Sequence, residues 1–260
     1  MFKEGNNMYT ADEVKDILIE AGLKKVNKTF EQKVILGFLG GAMVALGYLA
    51  YVRIVATTIE QYGGLSSFLG ACVFPIGLIF ILLIGGELIT SNMTVVSLAY
   101  FGKKVTLKQL INNWIFISIM NAFGALFVAY VFGHLAGLTS TGAYAHEALL
   151  ITKAKLAATP LQAFLSGIGC NWFVGLAVWL CFSAKDLTGK IIGIWFPVMV
   201  FVAVGFQHSI ANLFVIPTAI FENHATWGQL IGNFIPVYLG NIVGGVVCVA
   251  LLYYRNFKKH

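Results

Sequence analysis

Charged residues are scarce in this 260-residue sequence. Only 11% of the chain is Asp, Glu, Lys or Arg, whereas soluble domains carry about 25%. Hydrophobic residues make up 58%, and the mean hydropathy is +0.83. This composition predicts an integral membrane protein with more apolar sequence than a single anchor needs. The net charge of +6 is therefore interpreted by side of the membrane, and nucleic acid is not a predicted partner.

Motifs for metal binding, redox chemistry or nucleophilic catalysis are also missing. The sequence has no C-x-x-C pair, no H-E-x-x-H segment, no phosphate-binding loop and no Ser nucleophile elbow. Its four cysteines lie within apolar runs, where buried and unreactive thiols are expected. We therefore predict neither an enzyme nor a bound cofactor or metal. The cysteines are Cys72, Cys170, Cys181 and Cys248.

Six long apolar regions dominate the sequence. Because about 20 helical residues cross the hydrocarbon core, they predict an all-α membrane protein with six transmembrane helices. The second and fifth regions are too long for one straight span. The regions are approximately 33–56, 66–99, 107–132, 160–183, 190–221 and 229–254.

The fifth region contains polar residues in its middle. The uncharged run 191–221 includes Gly205, Gln207, His208 and Asn212. At this depth, polar and non-helical backbone is tolerated only where it is buried in protein or lines a cavity. We predict a helix that is broken at the membrane midplane, with His208 at the break.

The second region has a matching interruption, and the two halves of the chain repeat. In the stretch from Gly85 to Asn92, Glu87 is the only charged residue. A shift of 120 residues places Gly85, Glu87, Asn92, Asn121 and Gly124 on Gly205, Gln207, Asn212, Asn241 and Gly244. A shift of 130 residues places Gln32, Gly37 and Val44, in the first span, on Gln162, Gly167 and Val174, in the fourth. Three spans per half give the repeats opposite orientations, so the two breaks are predicted to meet near the midplane.

Two G-x-x-x-G pairs predict close helix contacts, within one protomer or between protomers. They are Gly37 with Gly41 and Gly240 with Gly244.

The segment before the first span predicts an amphipathic helix. Thr10 and Glu13 form a capping-box pattern, and Val14, Ile17 and Leu18 fall on one face. We expect this helix to lie on the lipid headgroups; a gate or a contact to a neighbouring protomer is the alternative. The predicted organisation is an N-terminal segment (1–30), a pore domain (31–254) and a tail (255–260).

Lysine and arginine are distributed unequally between the two sides. Fourteen lie in the N-terminus, the second loop, the fourth loop and the tail, and only three lie on the other side. The positive-inside rule then predicts a multi-pass protein of the cell membrane with both termini in the cytoplasm.

The interruptions offer groups that could handle a small polar solute. His208 can give or take a proton, and Thr90 and Asn241 are expected to bond its ring and fix its tautomer. Glu87 and Gln207 are expected to cap the exposed backbone of their broken helices. A core histidine that merely closes the break is the alternative, and Lys155 is either an interfacial lysine or an anion-attracting group at an outer vestibule.

These residues resemble the formate/nitrite transporter family. The resemblance covers nearly the whole chain. It is carried by Gly86-Glu87-Leu88-Ile89-Thr90, Gly205-Phe206-Gln207-His208-Ser209-Ile210-Ala211-Asn212, Cys170-Asn171-Trp172 with Leu176-Ala177-Val178-Trp179, Ile235-Pro236 and Gly240-Asn241.

The resemblance implies an aquaporin-like protomer, a homopentamer with one pore per protomer, and formate, nitrite, hydrosulfide or lactate as the transported solute. It implies roles for His208 at the centre, Thr90 in the loop and Lys155 in the vestibule. It also implies polar pore residues Asn171, Asn212 and Asn241. One constriction falls on Phe74 and Leu78 and the other on Phe201, although spacing alone would make these plain core residues.

One residue departs from the family pattern. Glu commonly precedes the central histidine, and here the residue is Gln207. The change removes a negative charge that would favour the protonated ring, so substrate preference does not transfer directly.

The resulting hypothesis is pH-dependent transport of a small monovalent weak-acid anion, most simply formate. Lys155 attracts the anion, and His208 relays a proton, which gives anion–proton symport or channel-like flow. Nitrite or hydrosulfide is the alternative within the family, and a neutral-solute aquaporin-like channel is the alternative from another class. Aquaporins use paired Asn-Pro-Ala breaks, whereas the corresponding stretches here are Asn92-Met93-Thr94 and Asn212-Leu213-Phe214. A membrane scaffold and an ammonium channel are also disfavoured, since a scaffold needs no polar breaks and the outward side is poor in acids.

Overall fold

The computed structural model describes residues 7–257, and the chain is helical throughout this range apart from short connections and one isolated bridge between Met8 and Ala184. Residues 1–6 of the predicted N-terminal segment and 258–260 of the predicted tail lie outside the described residues. The helices are α1 (Ala11–Val26), α2 (Phe30–Tyr62), α3 (Gly64–Val73), α4 (Ile76–Phe80), α5 (Ile89–Phe101), α6 (Leu107–Phe127), α7 (Gly142–Leu156), α8 (Pro160–Ser183), α9 (Leu187–Val204), α10 (Ser209–Phe221), α11 (Trp227–Val243) and α12 (Leu252–Asn256). Three π-helical segments, Ile81–Gly85, Val128–Leu135 and Gly244–Leu251, continue α4, α6 and α11.

Six helical stretches of residues 7–257 are long and apolar enough to cross a membrane, which confirms the predicted all-α class with six spans. They are Phe30–Tyr62, Gly64–Gly85, Leu107–Leu135, Pro160–Ser183, Leu187–Val204 and Trp227–Asn256. The second and fifth spans are completed by α5 and α10, each of which follows a short non-helical loop.

A glycine in a left-handed conformation stands before each break. Gly85 has φ +124° and Gly205 has φ +86°, which L side chains rarely adopt. Helix resumes at Ile89 and Ser209. The two breaks therefore lie at positions related by the predicted shift of 120 residues.

The repeat extends to the starts of the spans. The first and third spans of each half begin with a Thr whose side chain accepts from the backbone N–H three residues on, while the Gln at that position bonds back to the Thr N–H. These reciprocal caps satisfy two of the free N–H groups at each helix start. The pairs are Thr29–Gln32, Thr106–Gln109, Thr159–Gln162 and Thr226–Gln229.

Close helix contacts within the protomer explain the predicted glycine pairs. A Cβ at Gly41 would collide with the carbonyl oxygen of Asn121, so α2 and α6 touch along their backbones. At the related place in the other half, Gly240 lies against the carbonyl oxygen of Phe164, so α11 and α8 touch in the same way. Small residues permit this approach.

The N-terminal helix packs against protein. The capping box of Thr10 and Glu13 is present. Val14 and Leu18 are fully buried in a cluster with residues of α5, α8 and the Gly244–Leu251 segment. The expectation of an apolar face on lipid headgroups is therefore wrong, because that face is already covered by the pore helices.

We predict that Gly41→Ala weakens the packing of α2 on α6. The added methyl group meets a backbone carbonyl that cannot move without its helix, and overpacking of this kind costs about 1–3 kcal/mol. Gly232→Ala is the matched control, because a Cβ there meets nothing within 4 Å. The thermal unfolding midpoint in detergent should fall for Gly41→Ala and stay level or rise for Gly232→Ala; equal midpoints would contradict the close contact.

Candidate transport site between the two helix breaks

Two buried asparagines hold the backbone of the breaks. Asn121 Oδ1 accepts from the N–H of Ile89 at 2.8 Å, and its Nδ2 donates to the carbonyls of Gly37 and Glu87, both at 2.7 Å. One side chain thus satisfies two backbone groups that the broken helix exposes, at Ile89 and Glu87, and bonds the break to a carbonyl of α2. Without such partners, each buried group would cost about 1–3 kcal/mol.

Asn241 does the same for the second break. Its Oδ1 accepts from the N–H of Ser209 at 3.0 Å, and its Nδ2 donates to the carbonyls of Gly167 at 2.8 Å and Gln207 at 3.3 Å. The expectation that Asn241 bonds the ring of His208 is wrong, because all three hydrogen bonds of its side chain go to backbone groups.

Glu87 and Gln207 bond side chains rather than the helix starts. Asn92 donates to Glu87 Oε2 at 2.8 Å. Gln207 Oε1 accepts from Asn212 at 2.8 Å and from Asn233 at 3.0 Å. The expectation that each caps the exposed backbone of its own broken helix is therefore wrong. Glu87 instead forms an ion pair with Lys25, whose Nζ lies 3.1 Å from both carboxylate oxygens.

His208 connects the two breaks. Its Nε2 lies 2.9 Å from Thr90 Oγ1, across the boundary between the halves. Its Nδ1 accepts from the backbone N–H of Ala211 at 3.1 Å, so the ring caps the N-terminus of α10. Since an accepting Nδ1 carries no proton, the neutral ring has its proton on Nε2 and donates it to Thr90. The backbone of Ala211 and the hydroxyl of Thr90 fix the tautomer.

A cavity of about 230 Å³ leads to His208 from the Lys155 side. Lys155, Gln207 and His208 supply its polar lining, and Tyr48 contributes an aromatic wall. Lys155 Nζ lies 5.7 Å from the centre of the Tyr48 ring. Burial lowers the pKa of Lys155 to about 8, so the ammonium group stays mostly charged at neutral pH and can attract an anion.

Aromatic rings narrow the route beside His208. The Phe74 and Phe201 rings meet edge to face with centroids 5.8 Å apart, and Phe201 stacks on the His208 ring at 6.2 Å. The expectation that Phe201 forms a constriction apart from Phe74 is wrong, because the two rings touch.

A narrow apolar pocket of about 10 Å³ continues past His208. Residues at related positions of the two repeats line this pocket together. Its lining includes the related pairs Val44 with Val174, Leu78 with Val198, and Leu88 with His208. His208 is therefore the polar member of an otherwise apolar set. Leu88 and Val174 line this narrow pocket as well, although the sequence pattern did not predict them as constriction residues.

The other predicted polar residues stand behind this lining. Asn171 donates to the carbonyls of Asn241 at 2.7 Å and Thr90 at 3.2 Å. Asn212 donates to Asn233 at 2.8 Å as well as to Gln207. These asparagines position the breaks, whereas His208, Lys155 and Gln207 face the cavity.

A second cavity, of about 660 Å³, lies at the opposite end of the pore. Lys24, Lys25 and Lys28 line it together with Glu87. Lys25 was not among the residues that the sequence predicts for the site. The shift of 130 residues that relates Gly37 to Gly167 also places Lys25 on Lys155 and could have identified it.

Comparison with known proteins identifies the family. A profile described as "Formate/nitrite transporter" matches residues 12–255. The chain belongs to the formate/nitrite transporter family. It is 52% identical over 248 residues to the Bacillus subtilis transporter YrhG, covering 95% of this chain and 93% of that protein. It is 46% identical over 248 residues to the formate channel BtFdhC of Bacillus thuringiensis, covering 95% of each chain.

A solved structure of the formate/nitrite transporter family has the same architecture. The "Pentameric formate channel with formate bound" superposes with a TM-score of 0.77 at 30% identity, covering 92% of this chain and 99% of that one. The family consists of transporters and channels, which confirms that the chain is not an enzyme. Its six spans make it a multi-pass membrane protein.

We predict that Asn241→Leu destabilises the second break. The change leaves the Ser209 N–H and the carbonyls of Gly167 and Gln207 without their partner, at about 1–3 kcal/mol for each group that finds no other. Asn112→Leu is the control, since Asn112 is exposed on α6. The yield of monodisperse protein and its unfolding midpoint should fall only for Asn241→Leu; equal values would contradict this role.

Proposed function

We propose that this protein carries a small monovalent weak-acid anion across the cell membrane, with formate as the first candidate. The main support is the His208–Thr90 contact between the two breaks, reached from the Lys155 cavity through the Phe74–Phe201 contact. This sequence of groups provides an attracting cation, an apolar barrier and a polar midpoint. The relatives named as formate channels support formate over nitrite or hydrosulfide.

Lys155 concentrates the anion, and protonation lets it pass the apolar barrier. An ion costs several kcal/mol or more to move into an apolar constriction, and a neutral acid avoids most of that cost. It also avoids the membrane potential, which acts on a unit charge with roughly 2.3 kcal/mol per 100 mV. The anion therefore crosses together with a proton, and uptake rises as the pH on the entry side falls.

His208 is the proposed site of proton exchange. In the described conformation the ring is a neutral donor, because Nδ1 is occupied by the Ala211 N–H. Accepting a second proton requires Nδ1 to release that N–H, after which Nε2–H can be transferred to an anion held near Thr90. The transfer leaves a neutral acid and a neutral ring, so charge and protons balance.

The assembly and orientation follow the same proposal. The pentameric relative supports a homopentamer with one pore per protomer in the lipid bilayer. The distribution of fourteen against three Lys and Arg residues supports cytoplasmic termini. A neutral-solute channel remains the alternative from another class, and the charged Lys155 cavity argues against it.

We predict that purified protein in liposomes takes up formate faster as the external pH falls, and that His208→Asn loses this dependence. Asn keeps a polar side chain at the break but cannot exchange a proton in this pH range. Flux should fall by about tenfold or more, since general acid–base groups typically contribute 10²–10⁴-fold.

The design separates transport from the relay. Nitrite, hydrosulfide and lactate compete against formate in the same vesicles, and water and glycerol permeability test the neutral-solute channel. If wild type carried none of the anions, the transport proposal would fail. If His208→Asn kept the wild-type rise in flux at low pH, the proton would be gained before the midpoint, and His208 would act only as a neutral donor.

Lys155 gives a second prediction about pH. A lysine is charged below its pKa, so attraction through Lys155 is present at pH 6–7 and is lost as the pH rises through about 8. The half-saturation concentration of formate should increase by about tenfold over that range, because one nearby charge contributes on the order of 1 kcal/mol or more.

Two substitutions test the cause of this increase. Lys155→Arg keeps its charge at high pH, so its half-saturation concentration should stay low up to pH 9. Lys155→Met should bind formate weakly, with a high half-saturation concentration at every pH, and Lys155→Glu should have a higher half-saturation concentration still. Identical profiles for wild type and Lys155→Arg would show that another group titrates.

A further inference from the structure

The two repeats place a lysine at the same position at opposite ends of the pore. Lys25 lies in the last turn of α1 and Lys155 in the last turn of α7, and the shift of 130 residues relates them. Each lysine lines a cavity together with the middle residue of the adjacent break loop. That residue is Glu87 beside Lys25 and Gln207 beside Lys155. We call these two ends the Lys25 mouth and the Lys155 mouth.

At the Lys25 mouth, a carboxylate of the protein already binds the lysine. Lys25 Nζ contacts both oxygens of Glu87 at 3.1 Å, and Lys28 Nζ lies 3.9 Å from one of them. Glu87 is only 2% exposed, so the carboxylate is held inside the protein wall. The Glu87 carboxylate pairs with these lysines in the way that a small monovalent carboxylate from solution would.

At the Lys155 mouth, the corresponding side chain is a neutral amide. Gln207 Nε2 and Asn233 Nδ2 point to the backbone carbonyl of Lys155, at 3.5 Å and 3.1 Å. Within residues 7–257, no carboxylate lies within ion-pair distance of Lys155 Nζ. The ammonium group faces the cavity and the Tyr48 ring.

We propose that this difference gives the two ends of the pore different affinities for the transported anion: the Lys155 mouth binds the anion more tightly than the Lys25 mouth does. Glu87 is an internal competitor that the anion must displace from Lys25, whereas Gln207 leaves Lys155 open. Glu87 and Gln207 are therefore paired affinity-setting residues. The inference rests on the proposed anion transport, and it names a monovalent carboxylate of formate size as the ligand.

Thermodynamics adds a condition to the proposal. A passive pathway cannot produce net flux when the driving force is zero. The ratio of maximal rate to half-saturation concentration must therefore be equal from both ends. Uptake from the Lys155 mouth, which has the lower half-saturation concentration, must therefore also have the lower maximal rate. Any variant that changes the half-saturation concentration from one end is expected to change the maximal rate from that end in the same direction.

Exchange of the two side chains tests the proposal with matched variants. Glu87→Gln and Gln207→Glu each introduce the residue that the other repeat accommodates at the related position, next to Asn92 or Asn212. The double variant Glu87→Gln/Gln207→Glu has the same composition and net charge as wild type. Elution of each variant as the wild-type assembly in size-exclusion chromatography checks folding.

Formate uptake is measured from each face, in right-side-out and inverted membrane vesicles from the same cells. In wild type, the half-saturation concentration should be about tenfold lower from the Lys155 mouth, the effect expected of one unpaired charge. Gln207→Glu should raise that value to match the Lys25 mouth, Glu87→Gln should lower the value at the Lys25 mouth, and the double variant should reverse the sidedness.

The outcomes separate this inference from the proposed function. Transport with equal half-saturation from both faces, or sidedness that the double variant does not reverse, would overturn the inference and leave anion transport standing. Absence of formate, nitrite, hydrosulfide and lactate flux in wild type would overturn both.

Discussion

The fold depends on satisfying the backbone of two helices that stop in the middle of a membrane. No water is available there to bond free N–H and C=O groups. Asn121 and Asn241 provide the replacement, each with two bonds to the backbone of a break and a third to a carbonyl of the neighbouring span. The glycines that let α2 touch α6 and α8 touch α11 bring these asparagines within reach. Close helix packing and the hydrogen bonding of the exposed backbone therefore depend on each other, and both repeats use the same arrangement.

The proposed function depends on positions at which the two repeats differ. Residues 88 and 208 occupy related positions of the two repeats, yet residue 88 is Leu and residue 208 is His. Only the second can donate to Thr90. The same holds one residue earlier, where Glu87 neutralises Lys25 while Gln207 leaves the charge of Lys155 unopposed. A symmetric scaffold therefore carries an asymmetric path, with its polarity set by a few side chains.

The six spans, the two breaks and the 120-residue shift were predictable from the sequence, because the pattern of apolar and polar residues indicates each of them. The structure places His208 against Thr90 and in the cavity that Lys155 lines. The partner of the His208 Nδ1 was not predictable, since it is the backbone N–H of Ala211 and every residue has such a group. The contact of Phe201 with Phe74 was missed for a related reason: apolar residues in a buried span carry no signal for which neighbour they meet. The burial of α1 was missed because an amphipathic face looks alike whether lipid or protein covers it.

In the proposed mechanism, the cap that His208 forms on α10 restricts how a proton can reach the ring. A proton on Nδ1 would face the Ala211 N–H and add a positive charge at a helix N-terminus, whose exposed N–H groups already favour anions. Lys155 lines the same cavity and opposes that charge as well. An arriving anion removes this opposition, because its negative charge compensates the imidazolium ring. In the mechanism that we propose, the anion therefore precedes the proton at His208, and this order couples the two fluxes without any moving gate.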